Sequence, residues 1–140
     1  MRILFAADGS SYTKKALAFL VTHEGLSGKN DELIVLNVQP SVAPRVKTML
    51  GGDVVVAYHR EEAEKVIEPI KAFLGRHTVP FRCVWVVGSP CDQILQAATA
   101  ENVHLIVLGT HGHGLVARFF MGSIAQRVVA RCEVPVLLVK

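Results

Sequence analysis

At 140 residues, 51% hydrophobic and 19% charged, the chain is too apolar for a disordered segment and long enough to bury a full core as one domain over residues 1–140. Its net charge of +3 comes from scattered basic residues, with no helix-turn-helix pattern and no basic stripe interleaved with aromatics, which argues against a nucleic-acid partner. No apolar run nears the ~18 residues of a membrane span, and the opening run is too short for a signal peptide, so no membrane partner and a cytoplasmic location are expected.

The elements alternate regularly. Residues 3–7 are a short apolar strand, and Asp8-Gly9-Ser10-Ser11 then supplies turn and N-cap chemistry. Ala16, Leu17 and Leu20 mark an amphipathic helix that ends near Gly25. Residues 33–38 read as a second strand, and residues 39–53, with Pro40, Pro44, Gly51 and Gly52, as a loop. Ala63, Val66, Ile67, Ile70 and Leu74 then repeat at helical spacing, with Glu61, Glu62, Glu64 and Lys65 as the wet face. Pro69 contradicts that pattern locally, since an interior proline costs about 3 kcal/mol, and it predicts a kink or a later start. Phe81–Val87 is a third strand, and Gly88-Ser89-Pro90 leads into a helix that turns Ile94, Leu95 and Ala98 inward. Residues 104–108 form a fourth strand. A helix with Ala125, Val128, Val129 and Cys132 on one face follows, and residues 134–139 are the fifth strand.

Strict alternation of strands and helices implies parallel pairing through right-handed crossovers, an α/β doubly wound, Rossmann-like sheet with helices on both faces. Ligands of such sheets sit beyond the carboxyl ends of the strands, where the strand order reverses. Asp8 and Gly109 each follow a strand directly, so they share one crevice if their strands are neighbours.

The most informative stretch is Gly109-Thr110-His111-Gly112, nine residues, then Gly122-Ser123, set between a strand and a helix. Glycines there let the main chain approach an anion without a Cβ in the way, and Ser123 can cap the helix or donate to a phosphate oxygen. With this loop placed outside the core, Gly122→Val is expected to block phosphate and spare the fold. Turn chemistry alone is the plainer reading, but three spaced glycines and a serine favour a nucleotide phosphate site. Asp8 is either an Asx-turn former or, if Ser10 or Ser11 caps the helix, a contact for ligand or metal. His111 and His113 form a His-x-His pair without the further ligands that zinc needs, so His111 is read as a phosphate or ribose contact. Arg118 is a second phosphate candidate, although Leu115, Val116, Phe119, Phe120 and Met121 around it suggest packing. His23, His59, His77 and His104 have no partner pattern. Cys83, Cys91 and Cys132 are odd in number and irregularly spaced, which reads as buried free thiols.

These residues resemble the universal stress protein family in its nucleotide-binding branch, whose signature Gly-x2-Gly-x9-Gly-Ser/Thr is complete here. The resemblance extends to Ala6-Ala7-Asp8-Gly9-Ser10, to Val35-Leu36-Asn37-Val38, to Gly88-Ser89-Pro90 and to the closing segment from Cys132 to Val139. It implies a five-stranded sheet in the order 3-2-1-4-5. It also implies Ala6, Ala7 and Asp8 at the nucleoside end, Val38 on the adenine edge, and Leu108 and Gly109 by the ribose. His111 and Gly112 would meet the sugar-phosphate, and Gly122, Ser123 and Ile124 the phosphates. Many members of the family carry an acidic residue just before the fourth strand, where this chain has Val103-His104, and residues 39–53 match no family pattern.

The expected function is that of an ATP-binding stress-response sensor or regulator, with Mg²⁺ or Mn²⁺ on the phosphates and Asp8 as the candidate protein contact to the metal. No Gly-Lys-Ser/Thr loop is present and no lysine lies within residues 109–123, so the site is better equipped to hold ATP than to cleave it. A slow ATPase using a water held by His111 or Asp8, and a dimer that binds no nucleotide, are the alternatives. The apolar last strand, Val134 to Val139, belongs at a sheet edge; a homodimer pairs it, or a neighbouring loop covers it.

Overall fold

A computed structural model describes residues 1–23, 25–111 and 121–140 of the chain. Its strands are β1 (Arg2–Ala6), β2 (Glu32–Gln39), β3 (Phe81–Val87), β4 (Leu105–Gly109) and β5 (Val136–Val139). Its helices are α1 (Ser11–Thr22), α2 (Pro44–Leu50), α3 (Gly52–Leu74), α4 (Pro90–Ala100) and α5 (Ser123–Arg131). The strands form one sheet in the order β3-β2-β1-β4-β5, every pair parallel, as the family resemblance implied. Register sets Ala6, the last residue of β1, beside both Leu36 and Leu108, so β1 and β4 end nearly level while β2 runs on to Gln39.

Two apolar layers explain why the strands read as continuous apolar runs. Ile3, Phe5, Leu33, Val35 and Val107 pack under Ala16, Leu17 and Leu20 of α1 and Ile70 and Leu74 of α3. Leu4, Ile34, Leu36, Ile106 and Leu108 pack on the other face with Cys91, Ile94 and Ala98 of α4 and Ala125 and Val128 of α5. Successive residues of one strand thus feed opposite layers. At the opposite end from the strand termini, Arg82 pairs with Glu32 at 2.9 Å and with Glu101, and Arg2 reaches Glu32 at 3.3 Å.

Several expectations need correction. Residues 39–53 are not a loop throughout, because they contain α2 and the start of α3. The prolines and glycines read as breakers are boundary residues instead. Pro44 opens α2, where its missing N–H costs nothing. Gly51, at φ +86°, ends α2 with its N–H on the Lys47 carbonyl and directly precedes α3. The long helix begins earlier than its pattern suggested, at Gly52, and continues through Pro69 on its exposed side. On α5 the buried stripe is Ala125 and Val128, while Val129 is 44% exposed, because the helix also packs on α4 and a narrow face is covered. β5 starts at Val136, after Pro135, and β4 starts after His104, whose Nδ1 instead accepts the Arg2 N–H at 3.0 Å. All three cysteines are free, but only Cys91 is buried; Cys83 and Cys132 are half-buried. Desolvation still pushes the Cys83 thiol up from its ordinary value.

Candidate functional site

The strand order reverses between β1 and β4, and their level carboxyl ends open onto a crevice of about 640 Å³. Ala6, Ala7 and Asp8 line it from β1, Val38 from β2, Leu108, Gly109 and His111 from β4, and Gly122, Ser123 and Ile124 from the start of α5. Every expected site residue within the described part of the chain therefore falls on one cavity. Gly112, His113 and Arg118 lie outside the described residues, as do Leu115, Val116, Phe119 and Phe120.

Asp8 builds the turn from β1 into α1. Its Oδ1 accepts the Ser10 N–H at 2.9 Å and the Thr13 hydroxyl at 3.0 Å, while Thr13 Oγ1 accepts the N–H groups of Asp8 and Gly9 at 3.2 Å each. Gly9 supplies the φ of +80° that this turn demands. Asp8 therefore both forms the Asx turn and lines the crevice, so its two alternative roles coexist. Ser10, at the N-cap, makes no side-chain cap bond.

The reason for two signature glycines also differs from expectation. A Cβ on Gly109 would stand 2.5 Å from Tyr12 Cβ, so α1 fills the space there. Gly122 is buried, its N–H bonds the Thr110 carbonyl at 2.6 Å, and a Cβ on it would meet that carbonyl oxygen at 3.0 Å. Valine at 122 would thus press on the contact that closes the loop, and Gly122→Val is not the fold-neutral change expected. Gly122 rather than Ser123 is the N-cap of α5, which leaves Ser123 in the first turn with its side chain exposed.

His111 is held from two sides. Thr110 Oγ1 lies 3.0 Å from its Nδ1, and the Tyr12 ring stands 5.1 Å away, centroid to centroid. Lys15 Nζ sits 5.2 Å above the opposite partner of that pair, the Tyr12 ring. The other four described histidines lie off the crevice wall: His23 and His77 pack on Phe19 and Phe73 of their own segments, His59 is buried in α3, and His104 accepts from the Arg2 N–H. Among the described residues, no three His, Cys, Asp or Glu side chains gather as a metal site.

Sequence reasoning missed part of the wall. Asn37 is buried, donates Nδ2 to the Ala7 carbonyl at 2.9 Å, and accepts from Gln39 Nε2 at 2.7 Å, so it ties the ends of β1 and β2 together. A polar residue inside the apolar run 33–38 was the available signal. Glu62, Lys65 and Val66 of α3 close the side nearest β2, where Glu62 and Lys65 pair at 2.8 Å and the carboxylate holds the ammonium pKa above its ordinary value. Lys65 is the only lysine or arginine among the described lining residues.

The crevice can therefore offer main-chain groups, hydroxyls, one imidazole and one ammonium to a ligand, against the carboxylates of Asp8 and Glu62. The family model for the universal stress protein family matches residues 1–140. A universal stress protein of Thermus aquaticus is 37% identical over 139 residues, covering 99% of this chain and 97% of that one. The solved structure of the protein MJ0577 superposes with a TM-score of 0.84 at 28% identity, covering 99% of this chain and 94% of that one. A universal stress protein from Archaeoglobus fulgidus, solved in complex with dAMP, has a TM-score of 0.70 at 21% identity, covering 100% and 98%.

Proposed function

The chain belongs to the universal stress protein family, and from that premise we propose that its crevice binds an adenine nucleotide, ATP first among them. One observation carries the reading. Signature residues far apart in sequence, from Ala6 to Ile124, line one cavity at the point where the sheet order reverses. The dAMP complex of the relative with the same fold supports the class of ligand.

In this reading Asp8, with the main chain of Ala6 and Ala7, meets the nucleoside, and the Val38 main chain reads the adenine edge. Leu108 and Gly109 border the ribose, His111 and Gly112 the sugar-phosphate, and Gly122, Ser123 and Ile124 the phosphates, with the N–H groups of Ser123 and Ile124 as the donors because that of Gly122 is held by the Thr110 carbonyl. Asn37 keeps Ala7 and Val38 in register for the base. The fit to a phosphate chain rests on two chemical features. Gly122, the N-cap of α5, has no side chain to cap the first turn, which among the described residues leaves N–H groups there for an anion, and Ser123 adds an exposed hydroxyl. Mg²⁺ or Mn²⁺ would ride on the phosphates, with Asp8 as the candidate protein contact.

Binding without efficient turnover fits the wall best. Lys65 is its one described cation and is already paired with Glu62, so no free clamp for a transferring phosphoryl group is at hand among the described residues. We read the protein as a cytoplasmic nucleotide-dependent sensor or regulator of a stress response, acting as a homodimer. Mass spectrometry of the nucleotide that co-purifies tests the ligand. Thermal melts with ATP test affinity: a hundredfold excess over Kd should add about 2.7 kcal/mol of stability. A chain that purifies empty and melts identically with and without millimolar ATP would refute the reading.

A further inference from the structure

We propose that the Ser10 hydroxyl is a phosphate contact, the side-chain part of a second anion cradle at the start of α1. The inference rests on the nucleotide reading above and extends it to a helix outside the glycine signature. Three features of α1 point to it. The helix is twelve residues long, and no side chain caps its first turn, so the N–H groups there lack their usual acceptor. No acidic residue occupies that turn itself, and the Asp8 carboxylate beside it accepts from the Ser10 N–H and the Thr13 hydroxyl, neither of them a first-turn N–H. Finally, Ser10 is only 7% exposed, and its Oγ has no hydrogen-bond partner among the described residues.

A buried hydroxyl without a partner is unfavourable, and native chains rarely keep one unless something else satisfies it. Ser10 stands on the crevice wall, so a rotation about its single χ1 torsion offers the hydroxyl to a bound molecule. Its backbone is already fixed, because the Ser10 N–H is bonded to Asp8 Oδ1. The neighbouring geometry identifies which part of the ligand it meets. Tyr12, two residues on, touches Gly109 so closely that no Cβ fits between them, and its ring lies 5.1 Å from that of His111. The start of α1 therefore abuts the β4 end where Gly109 borders the ribose and His111 the sugar-phosphate, which is where the first phosphate of a nucleotide would lie. The uncapped first turn and the hydroxyl suit an anionic oxygen there better than the edge of a base.

The competing explanation is ordinary helix capping, in which the Ser10 oxygen swings to accept a first-turn N–H. The two differ in sign. Ser10→Ala in the full chain is titrated calorimetrically with Mg-ATP, ADP, AMP and adenosine, and its melting temperature is recorded without ligand. The expected result is a Kd for ATP raised about tenfold, the scale of one hydrogen bond to a charged acceptor, with adenosine binding unchanged. The unliganded melting temperature should stay level or rise, because an unsatisfied buried group is removed. Unchanged ATP affinity overturns the proposal, as does an equal loss for adenosine. A lowered melting temperature with unchanged affinity assigns Ser10 to capping. If the wild-type chain binds none of the four ligands, the nucleotide reading falls and this contact with it; if the wild type binds ATP and Ser10→Ala binds it equally, only the contact falls.

Discussion

A methyl group placed on Gly109 would lie 2.5 Å from the Cβ of Tyr12, well inside the distance at which two carbons repel. The offending atom belongs to the first carbon of the Tyr12 side chain, so no rotamer change relieves it. Gly109→Ala is accordingly expected to cost about 1–3 kcal/mol in urea unfolding, the range of an overpacked core site. The double mutants isolate the cause. Tyr12→Ala keeps the Cβ, so its cost and that of Gly109→Ala should add. Tyr12→Gly removes the Cβ, so in that background part of the Gly109→Ala cost should vanish, as a coupling of at least about 0.5 kcal/mol. Additive costs with Tyr12→Gly would show that the β4 end moves aside instead. The spacing of the glycines announces that side chains are excluded at 109 and 122. It does not announce what excludes them, and at both positions this chain's own atoms do so before any ligand arrives.

Helix α3 carries the next prediction, because Pro69 sits inside its 23 residues. A proline there cannot donate to the carbonyl of Lys65, and its ring crowds that carbonyl. The residue is exposed, so its replacement opens no cavity. Pro69→Ala should raise stability by about 1–3 kcal/mol, read as a higher urea midpoint at an unchanged slope. No gain would show that the helix has already relaxed around the ring. The same helix explains what the sequence did and did not disclose. Its apolar stripe from Ala63 to Leu74 was plain, as were five strands with their two-sided burial and the crevice residues near Asp8 and Gly109. Its function as a wall was not. A crossover helix runs antiparallel to its strands, so α3 starts at the carboxyl end of β2 and descends along the sheet to Leu74. Glu62 and Lys65 look like an ordinary wet face by periodicity, and only their place on the crevice side of that helix makes them part of the wall. Helix α2 was hidden for a related reason: Pro44, Gly51 and Gly52 are as apt at helix boundaries as in loops, and a seven-residue helix with no buried residue leaves no apolar stripe.

At the scale of the whole molecule, the sheet ends in two edges, and their chemistry differs. β3 carries Arg82, held between Glu32 and Glu101, a charge of the kind that discourages edge pairing. β5 is Val136-Leu137-Leu138-Val139, half-buried throughout and without a charge. We expect the homodimer to form by pairing this strand with its copy. The hydrogen bonds fix which groups are offered. Pro135 and Val139 present their carbonyls inward, to the N–H groups of Ile106 and Thr110, so by alternation Val136 and Leu138 turn their backbone groups outward. Leu138→Pro therefore removes an outward donor, whereas Leu138→Ala removes the same side chain and keeps the donor. Light scattering after size exclusion should give twice the chain mass for the wild type and for Leu138→Ala. It should give the single-chain mass for Leu138→Pro, with a helical signal retained in circular dichroism. A Leu138→Pro protein that stays dimeric, or a wild type of single-chain mass, would exclude β5 pairing. The outcome bears on the crevice as well, because the Thr110 N–H that bonds Val139 belongs to the residue whose carbonyl holds Gly122, so a partner strand on β5 would brace the phosphate loop from behind.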